Sequence, residues 1–246
     1  MPAVSNTTVP AETDWLCEHC GYVLNGLNPG GRCPECGELT DESAPSLRKP
    51  PAWEDPTAGN IVARFLRTSA MVIFQTKPFY RSLQTRADRK LSTLFAQIYW
   101  MLVSIMLAVA GYWHLDWSLD IHRKLSPGMM LMFIGAITLV IYGTFLLTTA
   151  LAARLTNWEA TYRGYRMPTA VVRRGLDYHA AHYLPVAVVA TLTIFAFHEF
   201  QLHAPLKSAE WGMRYLYVLS AEVIVSAGYL FTTYWTAMKN MMYASQ

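Results

Sequence analysis

Apolar positions are unevenly distributed along this 246-residue chain. Residues 1–92 are mostly polar, while 93–246 carry four long apolar stretches separated by short polar loops. The first stretch covers roughly 94–113. At about 1.5 Å per residue it reaches about 30 Å, the thickness of a bilayer's hydrocarbon core. The second, 127–153, opens at Ser126-Pro127 and meets no charge until Arg154. Serine can cap a helix there, and proline suits the first helical position. The third, 183–200, is short and carries Pro185, and the fourth runs over 213–237. This pattern predicts a multi-pass transmembrane domain over 93–246, built as a four-helix bundle in a lipid bilayer.

Upstream the pattern changes twice. Ile61, Phe65, Thr68 and Val72 recur at helical spacing, with Arg64 and Arg67 elsewhere on the turn and Asn60 placed to cap. Residues 60–92 are therefore expected to form a cytoplasmic amphipathic or interfacial segment, its helix ended near Lys77-Pro78. Residues 41–59 hold Pro45, Pro50, Pro51 and Pro56 among Ser, Asp and Glu, which predicts a flexible linker. A disordered N-terminus is expected over 1–13. Met1–Trp15 has neither a basic start nor an apolar core, so no secretory signal is expected.

All four cysteines fall between these polar segments, as Cys17-Glu18-His19-Cys20 and Cys33-Pro34-Glu35-Cys36, each pair followed by a glycine, Gly21 or Gly37. A Cys-x-x-Cys turn sets two thiolates on one side of a tight loop, and the glycine lets the backbone turn sharply. Two such turns supply four soft ligands in a tetrahedron, suited to zinc or iron. Gly26, Asn28, Pro29, Gly30 and Gly31 read as a hairpin turn between them. So small a unit lacks a sufficient core and calls for a metal to stabilise it. The fold class expected is thus mostly α, with a small N-terminal β zinc-ribbon domain over 14–40. Its metal ligands are Cys17, Cys20, Cys33 and Cys36, and its ion is Zn2+, with Fe as the alternative. His19 lies between two ligands and is expected to be exposed.

Charge sets the direction. Residues 1–55 carry nine acids against three bases, and 56–92 seven bases against Asp88. An acidic ribbon is a poor partner for nucleic acid, and a basic segment before a span suits an anionic leaflet. Ten Lys and Arg precede the first span, five lie between spans two and three, and Lys239 follows the last. Only Arg123, Lys124, Lys207 and Arg214 fall on the other side. The positive-inside rule then predicts an inner-membrane protein with the ribbon and both termini cytoplasmic. Trp113, Trp117, Trp211 and Tyr215 would form the outer aromatic belt, with Tyr234 and Trp235 on the inner one.

Few residues offer further chemistry. Glu222 is the one acid well inside a span, and a charge in lipid is expensive, so it is a candidate for a small transporter. His179 and His182 are three apart near the inner surface. His114, His122, His198 and His203 gather in the outer loops, where four imidazoles could hold a transition metal. Nothing reads as a nucleophile with its base, a phosphate-cradling loop or a His-Glu-x-x-His helix, so no catalytic residue and no enzyme is expected.

Trp15-x-Cys17-x-x-Cys20-Gly21-Tyr22 with Cys33-Pro34-x-Cys36-Gly37 resembles a zinc ribbon, and in spacing also the rubredoxin-like ribbon of rubrerythrins, which holds iron. Lys77-Pro78-Phe79-Tyr80-Arg81-x-Leu83, Ala160-Thr161-Tyr162-Arg163-Gly164-Tyr165-Arg166 and Tyr178 through Tyr183-Leu184-Pro185 resemble the bacterial form of the Yip1-type membrane domain. Eukaryotic members of that family act as membrane adaptors, so the resemblance implies a scaffold or adaptor. The expected function is non-enzymatic: the ribbon recruits a cytoplasmic protein partner while the helices anchor the chain or form a homo-oligomer. The alternatives are a membrane electron-transfer protein with a rubredoxin-like iron site and a transporter using Glu222.

Overall fold

The computed structural model describes residues 11, 14–28, 30–85, 89–119, 125–203 and 208–244, with backbone only at 117–119, 201–203 and 208–211. All but Ala11 of the expected N-terminal tail lies outside them. The chain is mostly helical: α1 Ile61–Phe74, α2 Thr76–Ser82, α3 Arg89–Leu119, α4 Pro127–Tyr162, α5 Thr169–His179, α6 Tyr183–His203 and α7 Ser208–Met241. It divides into two compact units: unit 1 is 1–95, 149–179 and 233–246, and unit 2 is 96–148 and 180–232. Among the described residues four helical segments are long and apolar enough to cross a membrane: Arg89–Asp116, Pro127–Tyr162, Thr169–Phe200 and Gly212–Met241. They contain the four expected spans. Each runs past the apolar stretch because a helix, once nucleated, adds a hydrogen bond per residue whatever the polarity.

Three expectations are corrected. The ribbon contains no strand among its described residues. Two isolated antiparallel bridges, Leu16↔Val23 and Arg32↔Leu39, close the two cysteine loops separately. Turns consume the chain between them, with Gly26 and Gly30 at φ +81 and +77, so no ladder can extend. Residues 41–59 are no flexible linker. Thr40–Ser43 and Pro45–Leu47 form 3-10 turns, and Arg48 and Trp53 are buried. Their prolines set the backbone for turns, while Arg48 and Trp53 supply the interactions that composition hides. Finally, Lys77-Pro78 does not end a helix. α1 stops at Phe74, and Pro78 sits in the first turn of α2, where a missing N–H costs nothing.

Unit 1 packs around Trp53. Its backbone N–H donates to Thr68 Oγ1 at 2.8 Å and its indole N–H to the Leu91 carbonyl at 2.7 Å. Its ring meets Phe65 and Phe95 at centroid distances of 5.6 and 6.2 Å, and Phe95 meets Tyr178 at 5.1 Å. α1 starts as its sequence suggests, with Asn60 Oδ1 accepting from the Ala63 N–H at 2.8 Å. Its buried residues are Thr68, Ser69 and Val72, while Ile61, Val62, Leu66 and Phe74 stay exposed.

Unit 2 packs around α3. Ala96, Trp100, Ser104, Ala108 and Tyr112 recur every four residues and are all buried, a ridge of the kind that seats one helix in the groove of another. Around it Tyr112 meets Phe133 of α4 at 6.1 Å, Trp113 meets Phe195 of α6 at 4.3 Å, and His114 meets Tyr215 of α7 at 5.3 Å. Pro185 falls in the first turn of α6, where proline is tolerated. Leu139, Val140 and Leu147 on α4 and Val223, Ile224 and Phe231 on α7 remain exposed, which suits a lipid surround.

Candidate metal centre

The two cysteine loops are built alike. The Cys17 N–H donates to the Tyr22 carbonyl and the Gly21 N–H to the Cys17 carbonyl, both at 2.8 Å. In the second loop the Cys33 N–H donates to the Glu38 carbonyl at 2.8 Å and the Gly37 N–H to the Cys33 carbonyl at 2.9 Å. Both glycines take positive φ, +83 at Gly21 and +77 at Gly37, a region costly to any residue with a Cβ. Each loop thereby turns its two sulfurs inward.

The four sulfurs meet. Cys17 Sγ lies 3.6 Å from Cys36 Sγ, Cys20 Sγ lies 3.6 Å from Cys33 Sγ, and all four fall within 4.8 Å of one another. A tetrahedral zinc–thiolate cage with bonds of about 2.3 Å has sulfur edges of about 3.8 Å. The four cysteines are thus close enough to hold a metal ion, and among the described residues this is the one such group of His, Cys, Asp and Glu. The nucleus around the sulfurs is small: Cys17, Leu24 and Cys33 are buried in it, with Trp15, Cys20, Leu27 and Cys36 packed on it. So few apolar side chains cannot hold a fold unaided.

The electrostatics point the same way. Burial raises the Cys33 thiol, but the N–H groups of Cys36 and Glu35, with the thiols of Cys20 and Cys36, hold it down at about 7. Burial pushes the Cys20 thiol far up against the Tyr22 N–H that favours its thiolate. At Cys36 the Glu38 N–H favours the thiolate, but burial and its sulfur neighbours leave it raised. Burial thus disfavours the charged form at Cys20 and Cys36. A bound cation reverses that balance, because a coordinating thiol is deprotonated outright.

Unit 1 holds this centre with arginines. Arg48 donates through Nε to Glu18 Oε1 at 2.7 Å, and through its terminal nitrogens to the carbonyls of Tyr80, Leu83 and Asn240 at 3.2, 3.0 and 2.9 Å. Glu18 lies inside the first loop, so Arg48 ties that loop to the ends of α2 and α7. Arg166 donates to the carbonyls of Ala11 and Asp14 at 2.7 and 2.6 Å and of Ala244 at 3.2 Å. Trp15 adds an indole bond to the Ser43 carbonyl at 2.9 Å. Against Gly21 lies the Tyr243 ring, 2.6 Å from where a Cβ would stand. Further along, Arg174 donates to Glu54 Oε2 at 2.6 Å and to the Gln84 carbonyl at 2.7 Å, and the Tyr178 hydroxyl donates to the same carboxylate. Sequence reasoning missed Arg48, Arg166, Arg174 and Glu54. Their hydrogen-bond partners are 30 to 192 residues away, and many are backbone carbonyls, so no local spacing marks them.

Among the described residues the other candidates are not brought together as metal sites. His179 Nε2 pairs with Thr233 Oγ1 at 3.0 Å in unit 1, and His182 Nδ1 with the Tyr229 hydroxyl at 2.8 Å in unit 2. His114 Nδ1 faces the Tyr215 hydroxyl at 3.4 Å, and His198 packs its ring on Trp113 at 4.4 Å. His122 and the side chain of His203 lie outside the described residues, as do the side chains of Trp117 and Trp211. Comparison with family models, with curated proteins and with solved structures finds no match for this chain.

Proposed function

We propose that this chain is a non-enzymatic multi-pass membrane adaptor, whose four cysteines hold a structural zinc ion and whose cytoplasmic face recruits a protein. The observation that carries the reading is the four-thiol cluster held by Arg48 and Arg166. Such a centre is closed: four protein ligands leave a tetrahedral ion no open position for substrate. Its role is then to fasten residues 14–47 to the rest of unit 1. That fastening displays Tyr22, Val23, Leu39 and Leu47 outward, all of them exposed apolar residues. A protein partner would cover them. The Yip1-type resemblance, with its adaptor members, agrees with this role.

The orientation follows from charge. With sixteen of the twenty Lys and Arg on one side, unit 1 belongs in the cytoplasm of an inner-membrane protein. The exposed Ile61, Val62, Leu66 and Phe74 of α1 suit a helix lying at the interface.

Anaerobic purification followed by metal analysis and a visible spectrum tests the metal. One zinc per chain and a colourless protein are expected. Iron with thiolate charge-transfer bands that bleach on reduction would replace the adaptor with an electron carrier. Capture on the intact chain then tests recruitment, and a partner retained equally by a Tyr22→Ser/Leu39→Ser variant would remove the ribbon surface from the proposal.

A further inference from the structure

Unit 2 contains a polar line that the metal-centred reading does not use. On α7, Tyr215, Glu222 and Tyr229 recur every seven residues, about 10.5 Å apart along the axis. The two tyrosines each meet a histidine, His114 at 3.4 Å and His182 at 2.8 Å. Glu222 stands midway between these pairs. Its Oε2 is shielded from solvent and has no hydrogen-bond partner among the described residues.

Beside that carboxyl opens a cavity of about 460 Å³ between α6 and α7, lined by Pro185, Val189, Val218, Glu222 and Val225 among others. An adjoining cavity of about 280 Å³ shares Thr193 and Val218 with it and reaches Arg214. The larger one falls within the range of about 300–1,000 Å³ usual for small-molecule sites. No Lys or Arg lines it. Arg214 is eight residues from Glu222, about 12 Å along the helix, beyond ion-pair reach.

A carboxyl group in a spanning helix is expensive, and an unpaired buried one more so. Residues of that kind usually face the bundle interior and find a partner. Glu222 instead faces an apolar cavity; Tyr229 and Tyr215 are turned to His182 and His114, and the other hydroxyls lining the cavity are those of Thr193 and Ser226. What the site lacks is a positive charge, and what its walls offer is apolar surface.

We propose that the α6–α7 cavity binds a lipophilic organic monocation, an ammonium or delocalised cation bearing apolar groups. Glu222 is its counter-charge, and Pro185, Val189, Val218 and Val225 pack its apolar groups. A small inorganic cation fits poorly, because it needs several oxygen ligands and these walls are mostly aliphatic. The site is independent of the cysteine centre and of the adaptor reading.

Equilibrium dialysis of the detergent-purified full-length protein against radiolabelled tetraphenylphosphonium tests it. The wild-type chain is expected to bind one cation per chain saturably. Glu222→Gln, which removes the charge and keeps the shape, should weaken binding at least tenfold. Val225→Trp, which fills the cavity and leaves the carboxyl, should do the same. Both variants should elute as the wild type does, with the same metal content. Absence of saturable binding by the wild type overturns the proposal, as does wild-type binding by either variant.

Discussion

The two units solve the problem of closing a fold by opposite means. Unit 1 brings loops, short helices and helix ends together, and these leave many backbone carbonyls facing inward. It satisfies them with guanidinium groups: Arg48 alone serves three carbonyls and a carboxylate, Arg166 three carbonyls, and Arg174 one carbonyl and one carboxylate. Unit 2 is made of long helices whose backbones satisfy themselves. It relies mainly on shape, along the α3 ridge of Ala96, Trp100, Ser104, Ala108 and Tyr112. The burial of the spans reflects this: the most apolar window of α3 is 44% buried, those of α4 and α7 only 6% and 0%. α3 is the packed centre, and the other two give most of their surface to the surrounding medium. Polar surface inside a protein demands specific partners, whereas apolar helices can associate largely through complementary shape, with a few hydrogen bonds between them.

The largest effect is expected at the cysteines. If they hold the proposed zinc, Cys33→Ser or a strong chelator should take from unit 1 an anchor of the order of 10 kcal/mol. Metal analysis should fall to zero, and limited proteolysis should cut within 14–59 while the helices over 96–148 and 180–232 survive. Cleavage spreading at once into those helices would mean that the units do not respond separately.

Next in size is the buried pair of Arg174 and Glu54, whose side chains are 0% and 6% exposed. Glu54→Gln removes the carboxylate bonded to the guanidinium and should cost about 3 kcal/mol. The thermal transition of unit 1 should drop while the metal content stays at one ion per chain.

The matching test in unit 2 is steric. Ala108 is fully buried on the α3 ridge, and Ala108→Leu should cost about 1–3 kcal/mol through overpacking. Cysteine accessibility in unit 1 should be unchanged. If the metal loosened as well, shape in unit 2 would be coupled to the polar network.

The smallest effect is expected at Gly21. A Cβ there meets the Tyr243 ring at 2.6 Å, with φ at +83. Gly21→Ala should cost about 1–2 kcal/mol in backbone strain, plus whatever the ring must move. Adding Tyr243→Ala should recover the second part and not the first, as denaturation of the two variants would show.

Much of this protein can be read from its sequence. The four helices long and apolar enough to cross a membrane are legible because apolar residues persist over about 18 to 27 positions. The cysteine centre is legible because Cys-x-x-Cys spacing is local and its chemistry is narrow. The capping Asn60 is legible for the same reason of locality. What could not be read is how 41–59 is held. Four prolines with Ser, Asp and Glu look like a linker, yet Trp53 and Arg48 fasten the segment to residues far along the chain.

What depends on neighbours in the chain can be read from the sequence: the turns that aim four sulfurs inward, the start of α1, and the four long apolar helices. Tertiary structure alone decided what depends on residues distant in sequence. It gave Arg48 its partners from Glu18 to Asn240 and paired Arg174 with Glu54. It also left Glu222 facing a cavity while Tyr215 and Tyr229 turned to histidines. The reason is physical: local propensity fixes backbone geometry within a few residues, whereas a buried charge or hydrogen bond acquires its partner only when distant segments pack.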